Sequence, residues 1–96
     1  MSASPTFVYI LHCADGTFYV GLTSDLCARE EQHNAGLGGA YTAARRPVRL
    51  VYSEECRSLA DARKRELQIK RWSGKKKAAL VSGNREELKR LSRRRT

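Results

Sequence analysis

Two short segments rich in β-forming residues, joined by a tight turn, constrain the fold of this chain most. Residues 6–13 (TFVYILHC) and 17–22 (TFYVGL) are dominated by β-branched and aromatic side chains. Between them stands Ala14-Asp15-Gly16, a sequence typical of a hairpin turn. The first part of the chain is therefore predicted to be a β-hairpin.

The length of the hairpin loop decides which side chains share a face. A two-residue loop would pair positions 12 and 19 and place Tyr9 and Tyr19 on opposite faces. A three-residue loop with Gly16 in the left-handed region pairs positions 11 and 19 instead, and both tyrosines then share a face. We expect the three-residue loop, with Gly21 beside the two tyrosines.

The rest of the chain predicts an α+β order of elements. Capping residues beside apolar-periodic segments indicate helices, and the alternation of Val48, Leu50 and Tyr52 indicates a third strand with one buried face. The expected elements are a helix over residues 26–35, a glycine-rich loop over 36–46, a strand over 47–55, a helix over 58–72, and short helices over 73–81 and 84–91. We expect one domain over residues 1–96, with a ββαβα core at 6–82, a basic helical extension at 83–96 and a mobile tail at 93–95.

Positive charge is concentrated in the last third of the chain, although the net charge of the whole is +9. Residues 1–62 carry five basic and seven acidic groups, residues 63–84 carry eight against one, and residues 85–96 carry six against two. This pattern favours a face that binds a polyanion over a merely solubilising surface. Three widely spaced cysteines indicate neither a disulfide framework nor a zinc site, and no signal-peptide or membrane-spanning pattern occurs. We expect a nucleic-acid partner, no membrane, and a cytoplasmic location, with association with the nucleoid as an option.

Glu66 falls where an apolar residue belongs. At about 100° per residue, it lies in the middle of the apolar face of its predicted helix. The apolar face is defined by Leu59, Ala62 and Ile69. A carboxylate that faces the core is unfavourable unless it is paired or binds a metal ion. An ion pair with Arg63 or Lys70 at helical spacing is the structural alternative, and it does not explain the inward orientation.

Arg29 and His33 lie four residues apart in the first predicted helix, so their side chains point the same way. A half-buried contact between Arg29 and a carboxylate is the structural alternative. Together with Glu66 and the two tyrosines, these residues are expected to converge on one side of the sheet. An acid, a guanidinium and phenols suit a phosphate better than an acyl or redox substrate. No G-x-S-x-G, phosphate-binding glycine loop or H-E-x-x-H motif occurs.

Five blocks within residues 6–82 occur in an order and spacing that resembles one known family. The blocks are Val8-Tyr9-Ile10; Tyr19-Val20-Gly21; Asp25-Leu26 with Arg29 and His33-Asn34; Gly39-Ala40-Tyr41-Thr42 with Arg45-Arg46-Pro47-Val48 and Leu50-Val51-Tyr52; and Glu66 with Lys70. The first two resemble the paired motifs that name the GIY-YIG nuclease superfamily. The set as a whole resembles the small bacterial stand-alone branch of that superfamily.

The resemblance implies a three-stranded antiparallel sheet flanked by helices, and an endonuclease that uses one Mg²⁺ or Mn²⁺ ion held by Glu66. One carboxylate is sufficient, because magnesium keeps several waters and also binds substrate phosphate. By the same analogy, Tyr19 assists deprotonation of the attacking water and Arg29 stabilises charge on the phosphoryl oxygens. The residues expected to act in catalysis are Tyr9, Tyr19, Arg29, His33 and Glu66. The residues expected to contact substrate are Gly21, Tyr41, Arg45, Arg46, Lys70, Lys75, Lys76 and Lys77.

Three of these expectations concern individual positions. Gly21 is expected to leave space beside Tyr19 for the substrate backbone. Ala28 and Ala40 stand where the resemblance leads us to expect basic residues, which weakens the predicted contacts with phosphate. Glu30 stands where an apolar residue is usual.

Three functions remain open from the sequence. The leading hypothesis is a metal-dependent endonuclease acting on nucleic acid, more on DNA than on RNA, with repair or recombination as its process by analogy only. The second is a basic nucleic-acid-binding module that does not cut, and the third is a protein-interaction adaptor that uses the C-terminal helices. We expect a monomer whose target is read by shape and charge or by a protein partner.

Overall fold

The computed structural model describes residues 5–93, with side chains described as far as residue 90. The described elements are β1 (Thr6–His12), β2 (Phe18–Thr23), α1 (Leu26–Asn34), α2 (Ala40–Ala43), β3 (Arg49–Cys56), α3 (Leu59–Lys70), α4 (Gly74–Ser82) and α5 (Arg85–Arg93). The three strands form one antiparallel sheet in the order β2-β1-β3. The expected α+β fold, a three-stranded antiparallel sheet flanked by helices, is confirmed. Of the predicted mobile tail, Arg93 ends α5, and residues 94 and 95 lie outside the described residues.

The hairpin has the three-residue loop that the sequence favours. Leu11 pairs with Tyr19, and Tyr9 pairs with Gly21. Gly16 closes the turn with a φ of 88°, a left-handed conformation that glycine adopts without a steric penalty. Tyr9 and Tyr19 consequently lie on the same face of the sheet, with their ring centroids 6.3 Å apart.

Strand β3 departs from the predicted alternation because it contains a bulge. Ile10 pairs with Tyr52, but the next residue of β1, Leu11, pairs with Leu50, so Val51 is an extra residue in β3. Leu50 therefore packs on one face of the sheet, and Tyr52 packs on the other. The prediction that these side chains share one buried face with Val48 is wrong for Tyr52.

Helices cover both faces of the sheet and define two layers. On one face, Val8, Ile10 and Val20 pack against Ala62 and Ile69 of α3. On the opposite face, a second buried cluster meets α1. This second cluster consists of Tyr9, Leu11, Cys13 and Val48, with Tyr19, Leu26 and Leu50 packed against it. Leu59, expected on the apolar face of α3, begins that helix and is 53% exposed, which is a further correction.

The helix boundaries follow the capping residues closely. Asp25 caps α1, Ser58 caps α3 and Ser73 caps α4, each with its side chain accepting a backbone N–H three residues ahead. The glycine-rich segment 36–46 was expected to be a loop throughout, but it contains the single turn of α2. No helix in the described residues is long and apolar enough to cross a membrane. The three cysteines are free thiols.

Two polar side chains of α1 fasten this helix to the start of β3. The backbone N–H of Leu50 donates to Glu30 Oε2 at 2.7 Å. The side-chain amide of Asn34 bonds both backbone groups of Val48, accepting from its N–H at 2.7 Å and donating to its carbonyl at 2.9 Å. These bonds satisfy backbone groups on an edge strand, which explains why a polar residue is suitable at position 30.

Candidate active site

A buried chain of three polar side chains forms the centre of the site. The hydroxyl of Tyr9 in β1 lies 2.9 Å from Nε2 of His33 in α1, and Nδ1 of His33 lies 2.7 Å from Oγ1 of Thr42 in α2. None of the three is more than 2% exposed. Burial, and then the charge of Arg29, lowers the pKa of His33. The neutral ring donates at one nitrogen and accepts at the other, so both of its neighbours are satisfied.

Tyr9 is held in its protonated form. Its pKa is raised, first by burial and then by Tyr19, while Arg29 opposes the shift and Glu66 adds to it. Because its hydroxyl is already engaged with His33, Tyr9 is suited to hold its neighbours in place.

Tyr19, in β2, packs beside this group of hydrogen-bonded side chains. Its ring centroid is 5.1 Å from that of His33 and 6.1 Å from that of Tyr41. The hydroxyls of Tyr9 and Tyr41 are hydrogen-bonded, to His33 and Thr17 respectively. Within the described residues the Tyr19 hydroxyl has no hydrogen-bond partner, so this phenol is available to another molecule.

Arg29 brings an unpartnered cation to the same place. Its Nε is buried, yet it has no hydrogen-bond partner among the described residues. Its charge adds to the lowering of the His33 pKa by burial and opposes the raising of the Tyr9 pKa, so the guanidinium acts on the centre of the site. Buried donors are nearly always hydrogen-bonded in native proteins. An unsatisfied guanidinium N–H here matches an oxyanion ligand, to which arginine donates readily.

Glu66 approaches the site from the opposite layer. It belongs to α3, which packs through Ala62 and Ile69 on the sheet face that Tyr9 does not occupy. Helix α3 thus covers the other face of the sheet, and the convergence of the five predicted catalytic residues on one side stays a prediction for Glu66. Its inward orientation is confirmed, since the side chain is 16% exposed, and it forms an ion pair with Lys70 at 3.1 Å. The charge of Glu66 nevertheless helps to raise the pKa of Tyr9, so this carboxylate interacts electrostatically with a residue of the other layer.

Gly21 makes room for Tyr9. A Cβ at position 21 would lie 2.6 Å from Cζ of Tyr9, far inside the range of ordinary contact. The ring of Tyr9 therefore lies across the backbone of β2, which is an edge strand of the sheet. The expectation that Gly21 leaves space for the substrate backbone beside Tyr19 is corrected, because the Tyr9 ring occupies that space.

Two residues of the site were not predicted from the sequence. Thr42 orients the imidazole of His33, and Gly38 allows the ring to approach the backbone, since a Cβ there would lie 2.5 Å from Cε1 of His33. Thr42 ends the Gly39-Ala40-Tyr41-Thr42 block, and its place beside a tyrosine expected to bind substrate was the available signal. For Gly38 the sequence gives no signal beyond a run of glycines.

Arg45 and Arg46, both expected to contact substrate, are engaged with the protein itself. Arg45 donates from Nε to Asp15 at 2.9 Å, and its guanidinium lies 3.8 Å from the ring centroid of Tyr41. Arg46 donates to the backbone carbonyls of Ala43 and Asn34. These contacts fasten the α2 segment to the hairpin turn and to α1.

The lysines expected to contact substrate have different surroundings. Lys70 pairs with Glu66, and Lys76 lies 4.2 Å above the ring of Trp72. Lys75 is exposed and Lys77 is half-buried. Burial lowers the pKa of Lys77. Neither Lys75 nor Lys77 forms an ion pair within the described part of the chain.

The donor set fits a single hard divalent cation. Between residues 5 and 93 there is no group of three or more His, Cys, Asp or Glu side chains that could hold a metal ion. Mg²⁺ needs only one or two carboxylates when waters and substrate phosphate complete its shell. Glu66 is an inward-facing carboxylate of the kind required, and the unpartnered Nε of Arg29 indicates that an anion completes the site.

The chain is similar to a known protein family and to several known proteins. The model of the GIY-YIG catalytic domain matches residues 5–79. A UPF0213 protein from Desulfotalea psychrophila is 49% identical over 79 residues, which cover 81% of this chain and 72% of that protein. A UPF0213 protein from Staphylococcus aureus (strain Mu3) is 48% identical over 75 residues, which cover 78% of this chain and 92% of that protein.

A solved structure is also similar to the chain. It is the solution NMR structure of the UPF0213 protein BH0048 from Bacillus halodurans, which is 41% identical. The alignment covers 81% of this chain and 83% of that one, with a TM-score of 0.53. The resemblance stated from the sequence is confirmed by these matches.

Proposed function

The chain belongs to the GIY-YIG catalytic domain family, and on that premise we propose that it is an endonuclease that hydrolyses phosphodiester bonds in nucleic acid with one divalent metal ion. The observation that carries the proposal is the buried, unpartnered Nε of Arg29. It lies in a site that also holds a tyrosine hydroxyl without a partner and an inward-facing carboxylate. A guanidinium can stabilise charge on phosphoryl oxygens, a carboxylate can hold a divalent cation, and a phenol can form a hydrogen bond with the attacking water.

In the proposed reaction, a water oxygen forms a bond to phosphorus as the bond from phosphorus to the leaving oxygen breaks. Arg29 donates hydrogen bonds to the phosphoryl oxygens and stabilises the charge that develops on them. The attacking water gives up one proton to solvent and the leaving oxygen takes up one from solvent, so charge and atoms balance.

Tyr19 is assigned to the attacking water because no described residue forms a hydrogen bond with its hydroxyl. Tyr9, with its raised pKa and its hydrogen bond to His33, keeps its proton and holds the wall of the site. His33 in turn is fixed by Thr42. Tyr9, His33 and Thr42 therefore position the side chains of the site. Tyr19 takes part in the removal of the proton from water.

Glu66 is the residue that would hold the metal ion, which when bound supplies a Lewis acid that polarises the phosphoryl group. Lys70, which pairs with Glu66 in the structure, offsets part of the carboxylate charge when no cation is bound. The substrate phosphate lies, in this proposal, between Arg29 in one layer and Glu66 in the other, at the edge formed by β2.

Cleavage assays with matched variants test the proposal. Purified protein is incubated with labelled single-stranded, duplex and branched DNA and with RNA, in Mg²⁺ or Mn²⁺, and with EDTA as the metal-free control. Arg29→Ala and Glu66→Gln are each expected to slow cleavage by about a hundredfold or more. The controls Arg57→Ala and Glu31→Gln remove the same charges at exposed positions and should cut as the wild type does.

The outcomes separate the candidate functions. Metal-dependent cleavage that is lost only in the site variants supports the nuclease. Cleavage that persists in Glu66→Gln and Arg29→Ala would refute the assigned site. Salt-sensitive binding without any cleavage would favour the alternative, a basic nucleic-acid-binding module, for which the positive charge of residues 63–96 is the supporting observation.

A further inference from the structure

A groove of about 500 Å³ lies beside the site, between the hairpin turn and the start of α4. Its walls include Thr17 and Phe18 from the hairpin, Tyr41 from α2, and Lys75 and Lys77 from α4. None of the residues that line it is acidic. The groove thus combines two aromatic side chains and two lysines, without an acidic residue among its walls.

The ring of Tyr41 is fixed in place at the groove. Its hydroxyl donates to Oγ1 of Thr17 at 2.8 Å, and Thr17 donates in turn to Asp15. The guanidinium of Arg45 covers the ring at 3.8 Å, and Arg45 is not among the residues that line the groove. The residue is 39% exposed although its hydroxyl is bonded. A ring that is already held loses little conformational freedom when a planar ligand stacks on it.

The two lysines give the groove an unbalanced positive charge. Lys75 is exposed and Lys77 is half-buried, and no ion pair with either occurs in the part of the chain that the structure describes. Burial without a counter-ion lowers the pKa of Lys77, so an anion near its ammonium group would be stabilised. A phosphate group satisfies this requirement.

The groove lies next to the proposed site, because Tyr41 in its wall is a neighbour of Tyr19. Tyr41 lies 6.1 Å from Tyr19, measured between ring centroids. We infer that the groove binds one unpaired nucleotide of the strand that is cut, with its base stacked on Tyr41 and its phosphate at Lys75 and Lys77. The inference rests on the proposed function, because it takes the strand to pass from the site into the groove.

An unpaired nucleotide is the ligand because of the geometry of stacking. A base inside a duplex has both faces covered by its neighbours, whereas an unpaired base offers a face to an aromatic side chain. A volume of about 500 Å³ accommodates a single nucleotide. The substrate class is therefore a strand with at least one unpaired nucleotide beside the cleaved bond, such as a flap, a branch or a single strand.

Binding of labelled oligonucleotides to the full chain tests the inference. Fluorescence anisotropy is measured in EDTA, so that the result does not depend on cleavage. The probes are a short oligothymidylate, an oligouridylate, an oligodeoxyuridylate, a blunt duplex, and an oligomer of abasic spacers with the same number of phosphates. Oligothymidylate should bind more tightly than the abasic oligomer, and a comparison of oligouridylate with oligodeoxyuridylate of the same length identifies the preferred sugar.

Substitutions at Tyr41 separate stacking from structure. Tyr41→Leu keeps apolar bulk without a flat ring, and it should weaken oligothymidylate binding about tenfold while leaving the abasic oligomer unaffected. Tyr41→Phe keeps the ring but loses the bond to Thr17, and it should bind oligothymidylate more tightly than Tyr41→Leu does. Equal losses for oligothymidylate, the abasic oligomer and the duplex would overturn the inference, as would no loss with Tyr41→Leu.

Substitutions at the lysines test the phosphate contact. The double variant Lys75→Ala/Lys77→Ala should weaken binding to every single-stranded probe and reduce the slope of log Kd against log salt concentration by about 0.7, the value for one neutralised phosphate. The control Lys64→Ala/Lys89→Ala removes the same charge at exposed positions. Equal effects from the two double variants would overturn the assignment. Failure of these tests leaves metal-dependent cleavage intact, and absence of cleavage leaves the binding results valid, so the two proposals fail independently.

Discussion

Replacing Gly21 with alanine tests whether the sheet edge is built around Tyr9. The new methyl group would lie 2.6 Å from Cζ of Tyr9, and ordinary van der Waals contact begins at 3.4 Å. The ring cannot yield easily, because Tyr9 is 2% exposed and its hydroxyl is bonded to His33. Either the ring moves and the hydrogen bond breaks, or β2 moves away from β1.

The expected loss of stability is that of an overpacked core, about 1–3 kcal/mol. For a domain of this size each kcal/mol corresponds to about 4–8 °C in Tm. Thermal and urea unfolding of Gly21→Ala, followed by circular dichroism, measure the loss. Gly74→Ala is the matched control, because it adds the same methyl group where no atom lies within 4 Å.

A second substitution decides whether the contact with Tyr9 is the cause. In the Tyr9→Leu background the ring is absent, so adding the methyl group at position 21 should have much less effect, and the two substitutions should be non-additive by about 1 kcal/mol or more. Equal stability of Gly21→Ala and Gly74→Ala would refute the reasoning. So would a Gly21→Ala effect that is the same with and without the Tyr9 ring.

Three further predictions concern the groups around His33 and the start of β3. Thr42→Val removes a hydroxyl at nearly constant volume and leaves Nδ1 of His33 buried without a partner, so the free energy of unfolding should fall by about 1–3 kcal/mol. Thr42→Ser keeps the hydroxyl and should lose less stability. The reverse order of stability would contradict the assigned bond. In urea unfolding at a series of pH values, the free energy of unfolding should decline as the pH falls below about 6.5. The reason is that the pKa of His33 is lowered in the folded state, so the unfolded chain takes up the proton first. His33→Gln should flatten this part of the profile, and an unaltered profile would show that another group is responsible. Glu30→Ala leaves the N–H of Leu50 without its acceptor and should lower Tm measurably, whereas Glu31→Ala at an exposed position should change stability by no more than about 0.5 kcal/mol; equal effects would argue against the Glu30 bond.

Local rules of sequence predicted the parts of the fold that depend on neighbouring residues. The length of the loop that ends in Gly16 fixes the pairing of Leu11 with Tyr19. Because strand side chains alternate with a period of two, this pairing places Tyr9 and Tyr19 on the same face. Helix phase likewise identified Arg29 and Glu66 as residues that face inward. In these cases the information lies within a few residues along the chain.

What the sequence did not predict depends on contacts between distant segments. The bulge at Val51 arises from the register between β1 and β3, and strict alternation was the simpler pattern. Helix phase indicates that Glu66 faces inward, but it does not say which face of the sheet α3 covers. The sequence does not identify Thr42 as a site residue, because its contact with His33 depends on the packing of α2 against α1.

The division of the site between two layers has a consequence for how activity would arise during synthesis. The segment that ends with β3 carries the arginine and both tyrosines, and the carboxylate follows only in α3. A chain released before α3 would hold the groups that contact phosphate but lack the ligand for the metal ion. The proposed nuclease would thus become competent only when its last core helix docks, and two separately expressed fragments, cut between β3 and α3, would each be inert and active only on reassembly.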